Sequence, residues 1–134
     1  MDCIFCSIIS GKIPSAKVAE TKNVLAFLDI QPANPGHILI VPKKHVERMD
    51  EAENEVFCEM SNLAAKLAKK LMRELYPAGY NILINNGGAA GQEVKHLHLH
   101  IIPRYEDDRF AFRWPHKRYG AGEMQALAKR LWVA

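Results

Sequence analysis

Three histidines alternate with two leucines in His96-Leu97-His98-Leu99-His100, and this is where the chain concentrates its potential chemistry. Imidazole titrates nearest to neutral pH, so it can act as nucleophile, general base, hydrogen-bond donor or metal ligand. On an extended strand, residues two apart share a face and stand ~6.5–7 Å apart, which separates the outer rings by ~13 Å. Zinc binds imidazole nitrogen at ~2.0–2.1 Å, so its ligands must converge on one point. Two alternate rings can do so, but three spread along a strand cannot easily, so the rings are expected to divide their work. A solvated strand face would mix Lys, Glu, Thr and Ser, which argues against a merely exposed row. Attack of a neutral imidazole on phosphorus, with neighbouring donors holding the non-bridging oxygens, fits the pattern.

A second cluster opens the chain. Cys3 and Cys6 have Cys-x-x-Cys spacing, which suits zinc thiolates and redox pairs alike. Two thiolates leave zinc half coordinated, and His37, His45, His96, His98 and His100 all lie outside the tail and could complete the set. A closed Cys2His2 tetrahedron would be structural and would tie down the amino terminus. On spacing alone, a redox pair and two uncoordinated thiols stay open beside it. Cys58 falls in a helical pattern and reads as a small buried hydrophobe.

The elements that must position these groups follow from length and periodicity. A chain of 134 residues, 49% hydrophobic and 25% charged, is expected to be one domain with a single core. Its net charge of +3 is modest, and scattered Lys and Arg give no long basic tract for nucleic acid. No stretch reaches the ~18 apolar residues of a membrane span, and the first residues lack the pattern of a secretory signal. The expectation is an intracellular, cytoplasmic protein with neither membrane nor nucleic acid as partner.

Gly11 and Pro14 mark a turn after the first segment. Lys17–Glu20 and Val24–Leu28 read as strands joined by Thr21-Lys22-Asn23, and the loop 31–36 leads to a strand over His37–Val41. From Ala52 to Tyr76, Val56, Met60, Leu63, Ala64, Leu67, Leu71 and Leu75 recur at helical steps. A strand over Tyr80–Asn85, a glycine-rich loop over 86–91 and a strand over Lys95–Pro103 follow. That last strand is expected to be half-buried, with Leu97, Leu99 and Ile101 inward. A short helix is expected over Gly122–Trp132. Strands grouped around one major helix argue for α+β with an antiparallel sheet.

His96-Leu97-His98-Leu99-His100-Ile101-Ile102 matches the His-φ-His-φ-His-φ-φ motif (φ apolar) of the histidine triad (HIT) superfamily. The resemblance extends through Cys3-Ile4-Phe5-Cys6, Ile13-Pro14-Ser15, Ala26-Phe27-Leu28-Asp29-Ile30, Gly36-His37, Val41-Pro42-Lys43-Lys44-His45, Asn85 and Gly91-Gln92, all similar to Hint-type members. It covers residues 3 to 104 and leaves 105–134 without a motif. It implies a HIT-like fold with about five antiparallel strands, one long helix and a short C-terminal helix. It also implies that His98 takes up a nucleoside monophosphate, usually AMP, which water then releases.

By the same resemblance, His37 and His100 would contact the phosphate, and Asn85 and Gln92 would add neutral hydrogen bonds. Asp29 would accept the ribose hydroxyls, and Ile4, Phe5, Ile8, Ile13, Phe27, Leu28 and Ile30 would form the apolar slot for the base. Cys3, Cys6, His45 and His96 would hold a structural zinc. Relatives pair as two-fold homodimers that extend the sheet. The implied activity is hydrolysis or transfer on nucleoside 5′-phosphoramidates, with adenosine the expected nucleoside. The alternatives are a dinucleoside polyphosphate hydrolase and a zinc-stapled nucleotide-binding or scaffold module with little turnover. Hint-type enzymes often carry Ser or Thr after the Gln, where this chain has Glu93. A carboxylate there could donate a proton if burial raised its pKa, or could repel an anionic leaving group.

Overall fold

The computed structural model describes residues 2–133. It contains β1 (Lys17–Glu20), β2 (Val24–Leu28), β3 (Ile38–Pro42), β4 (Gly79–Ile84) and β5 (Leu99–Arg104). These strands form one antiparallel five-stranded sheet in the order β1-β2-β3-β5-β4. Helix α1 (Ile4–Ile9) precedes the sheet, α2 (Asn54–Leu75) follows β3, and α3 (Glu123–Leu131) lies near the carboxy terminus. Both strands of the first hairpin have the expected bounds, and α2 differs from its expected range only at the ends. Helix α1 was not expected. Its six residues are too few for helical periodicity to register.

The centre of the sheet is buried on both faces, which explains why β2 and β3 read as continuous apolar runs. Val24, Ala26, Ile38, Ile40, Leu99 and Ile101 pack against Met60, Leu63, Leu67 and Leu71 of α2. The alternate positions Leu25, Phe27, Leu39 and Val41 pack against Phe5 and Ile8 of α1. Strand alternation puts His100 on the α1 face, opposite the main helix.

Three expectations need correction. The last strand begins at Leu99 rather than Lys95, because pairing with β3 starts at Leu99 opposite Ile40. The Leu97 N–H instead donates to the Val46 carbonyl at 2.7 Å, so His96 and His98 occupy irregular chain before the strand. That segment is also not half-buried with one wet face: His96 is 0% exposed and His98 7%, because α1 covers the histidine side. Finally, Cys58 is exposed. It lies two residues before Met60, about 200° round the helix from the buried stripe.

Two local features hold the sheet to its neighbours. The Glu59 carboxylate on α2 accepts from the Asn23 backbone N–H at 3.0 Å, from Asn23 Nδ2 at 3.1 Å and from the Thr21 hydroxyl, pinning the first hairpin. After β5, Arg104 grips Asp108 through two hydrogen bonds of 2.8 and 3.0 Å and stacks over Phe110. Beyond this point the chain is largely exposed, and no residue of α3 is buried. Among the described residues no helix is long and apolar enough to cross a membrane.

Candidate active site

The Gln31–Gly36 loop places His37 beside β5. Gly36 makes the entry into β3 at φ +97°, and a Cβ there would meet Leu75 Cδ1 at 2.5 Å, so only glycine fits without movement. His37 is 5% exposed, and its Nδ1 accepts the Ala33 backbone N–H at 3.0 Å. A neutral His37 therefore carries its proton on Nε2. Nε2 lies 2.9 Å from His100 Nδ1, so the proton is donated there and His100 keeps its own proton on Nε2. That last donor is buried and has no hydrogen-bond partner among the described residues. A buried N–H without a partner costs ~1–3 kcal/mol, so the chain of tautomers ends on a donor suited to an incoming oxygen. The Asp29 carboxylate stands 3.8 Å from His37 Nε2 and favours some positive character on the pair.

His98 is set by a different contact. Its Nδ1 lies 2.6 Å from the His96 carbonyl oxygen, so Nδ1–H donates and Nε2 keeps the lone pair. Phe5 and His98 meet edge to face at 5.1 Å between centroids, and the His100 ring lies 4.9 Å from that of His98. Burial lowers the pKa of His98, of His37 and, most strongly, of His100, which is pushed down to about 4 with help from its two histidine neighbours. All three rings are therefore held neutral near pH 7. The site therefore presents a neutral ring with a free Nε2 lone pair at His98 and a neutral N–H donor at His100.

A cavity of about 440 Å³ opens in front of these rings. Ile4, Phe5, Ile8, Ile13, Phe27, Leu28 and Ile30 all line it, together with Asp29, Asn85, His98 and His100. Ile30 is 88% exposed and forms the rim rather than core. The Asp29 Oδ1 atom accepts the Gln31 N–H at 2.9 Å, a turn contact that leaves Oδ2 toward His37.

Two residues stand behind the cavity instead of in its wall. His37 reaches it only through His100. Gln92 is buried with its whole amide engaged: Oε1 accepts the Gly87 N–H at 2.7 Å, while Nε2 donates to Glu47 O at 2.7 Å and Val94 O at 3.1 Å. Gln92 fixes the glycine-rich loop that carries Gly91 to the cavity. Sequence reasoning missed the Ala33 N–H that sets the relay, and no side-chain type could have signalled a backbone donor.

Cys3, Cys6, His45 and His96 come together beside this cavity, with all ligand atoms within 4.8 Å of one another. His45 Nδ1 and His96 Nδ1 are 3.1 Å apart, Cys3 Sγ lies 3.3 Å from His96 Nδ1, and Cys6 Sγ lies 3.4 Å from His45 Nδ1 and 3.6 Å from His96 Nδ1. A zinc tetrahedron with ordinary bond lengths has nitrogen–nitrogen edges of ~3.3 Å and sulfur–nitrogen edges of ~3.6 Å. The donor set therefore fits zinc. The outer nitrogen of His96 supports the fit, because Nε2–H donates to the Pro42 carbonyl at 2.8 Å and leaves Nδ1 free to ligate.

Fold and site together define a class. A family model described as the HIT domain matches residues 10–107, and the chain belongs to the histidine triad family. The adenosine 5′-monophosphoramidase of Schizosaccharomyces pombe is 41% identical over 132 residues, covering 98% of this chain and 96% of that protein. A solved member of the HIT family from Bacillus subtilis aligns with a TM-score of 0.90 at 42% identity, covering 100% of both chains. A zinc-bound histidine triad family protein from Mycobacterium smegmatis aligns with a TM-score of 0.78 at 36% identity, covering 98% of this chain and 96% of that one.

Proposed function

We propose that this protein hydrolyses or transfers the nucleotidyl group of nucleoside 5′-phosphoramidates, with AMP as the expected nucleotide, through a covalent intermediate on His98. The observation that carries the reading is the paired geometry of the two rings. His98 has a committed Nδ1 and a basic Nε2, and His100 beside it ends a relay on an unpartnered buried N–H.

In the first step His98 Nε2 attacks phosphorus, the Nε2–P bond forms, and the P–N bond breaks. The departing nitrogen takes a proton from solvent at the cavity mouth. The His98 Nδ1–H bond to the His96 carbonyl stabilises the positive charge that develops on the ring. His100 Nε2–H holds a non-bridging oxygen, and the Asn85 amide adds a neutral donor. Water then attacks phosphorus, the Nε2–P bond breaks, and AMP leaves with one proton released. His37 and Gln92 act as positioning residues in this scheme. Asp29 accepts the ribose hydroxyls, and the apolar wall from Ile4 to Ile30 takes the base.

The same reading includes a structural zinc held by Cys3, Cys6, His45 and His96, whose closed ligand set leaves no open position for chemistry. It would anchor α1 and the His96 carbonyl that orients the nucleophile. We propose further that the chain works as a two-fold homodimer in the cytoplasm. The open edge of β4, with Tyr80 and Ile82 exposed, and the uncovered apolar side of α3 support the pairing.

The test is hydrolysis of an adenosine 5′-phosphoramidate by the parent and by His98→Asn. Loss of turnover by at least about 10³-fold in a folded variant is expected. Equal rates would remove His98 as the nucleophile, and no turnover by the parent would leave a nucleotide-binding module.

A further inference from the structure

The cavity that faces the two reactive rings has an unusual charge balance for a phosphate site. Among the described residues its charged lining residues are Asp29 and Glu93, and no Lys or Arg lines it. The His100 ring supplies no fixed positive charge either, because burial and its two histidine neighbours push its pKa down to about 4. A single phosphoryl charge can be met by neutral N–H donors, but further negative charge finds only carboxylates. Asp29 lies beside His37, 3.8 Å from its Nε2, whereas Glu93 lies two residues after Gly91, whose carbonyl accepts from Asn85 Nδ2 at 3.5 Å. Glu93 is an exposed residue of the lining.

We propose that Glu93 sets leaving-group specificity: the enzyme selects amines that carry a second, positive charge and discriminates against anionic leaving groups. The proposal rests on the phosphoramidate reading above and adds the chemical class of the amine. Once the nucleotide's base and phosphorus are seated, the departing group points to the mouth, where Glu93 is the charged residue of the lining. An ammonium there is attracted, and a carboxylate or a further phosphate is repelled. For charges some 6–8 Å apart near a wet surface the effect is about three- to tenfold in kcat/KM per unit charge. It acts through the field of Glu93 and needs no proton transfer from it. Raising ionic strength must therefore weaken it.

The experiment compares three adenosine 5′-phosphoramidates of similar length, made from ethylenediamine, ethanolamine and β-alanine. These leave as a cationic, a neutral and an anionic amine. The parent is expected to prefer the ethylenediamine amide over the β-alanine amide by at least about tenfold at low salt. Glu93→Gln should reduce that ratio at least about threefold, Glu93→Lys should reduce it further or invert it, and added salt should compress it only in the parent and the Lys variant. The ethanolamine amide reports whether each variant remains a working enzyme. If that amide is turned over while the ratio in both variants stays within about twofold of the parent, the proposal is wrong. If the parent cleaves none of the three, the phosphoramidase reading itself fails and takes this inference with it.

Discussion

Phe5 is the point where the amino-terminal helix touches the chemistry, so replacing it probes both at once. The ring is buried, meets Phe27 at 5.7 Å, His96 at 5.8 Å and His98 at 5.1 Å, and presents an edge or a face to each. Phe5→Ala exposes or empties roughly 120 Å² of apolar surface, worth ~3 kcal/mol at ~25 cal/mol per Å². Lost edge-to-face contacts add ~1 kcal/mol, and the sum of ~3–4 lies in the range for burying Ala in place of Phe. With ~2.1 cal/mol/K of unfolding entropy per residue over 134 residues, the melting temperature should fall roughly 10–15 °C. His98, the proposed nucleophile, also loses the Phe5 ring packed against it, and a misplacement of ~1 Å costs about 10²-fold in rate. Circular dichroism melting and kcat/KM on an adenosine phosphoramidate measure the two effects, and Phe5→Leu should recover most of the first. A melting change under about 3 °C with kcat/KM within about twofold of the parent would refute the idea that α1 buttresses the site.

Other perturbations follow from the same contacts. His37→Phe removes the donor that fixes the His100 tautomer, so kcat/KM should drop about 10–10²-fold while nucleotide binding changes little; an unchanged kcat/KM would break the relay. Gly36→Ala must relieve both a positive φ and a 2.5 Å approach to Leu75; urea midpoints should report about 1–3 kcal/mol of lost stability. His100 is depressed to about 4 in the folded chain, so the unfolded chain binds more protons from pH ~6.5 downward. Stability therefore falls across that window as pH drops, and His100→Gln should show a shallower fall in melting temperature. Elemental analysis of protein purified without added metal should give about one zinc per chain, and less than about half would contradict the closed site.

Much of the fold was legible because burial leaves periodic traces. The stripe from Met60 to Leu71 specified α2, and the apolar runs of β2 and β3 specified strands. The histidine segment was harder to read, since alternation suits both a strand and an irregular extended chain. What separates them is the partner of the Leu97 N–H, which is Val46 in a distant loop. The residues that the family resemblance implies for the apolar slot all line the cavity, and the four it implies as metal ligands lie within 4.8 Å of one another. Roles that depend on hydrogen-bond direction were out of reach. The family resemblance implies that Gln92 adds a neutral hydrogen bond near the phosphate, yet its amide is engaged by Gly87, Glu47 and Val94. The order of the rings, with His37 behind His100, likewise follows from the Ala33 amide rather than from any side chain.

The central claim is that His98 Nε2 becomes bonded to phosphorus during turnover. Mixing the protein with excess adenosine phosphoramidate, quenching within one turnover and mapping the modified peptide by mass spectrometry tests it directly. The account predicts an adenylyl adduct on His98 that forms before AMP is released and is absent in His98→Asn. An adduct on another residue would contradict it, as would AMP release with no adduct at any time in the first turnover.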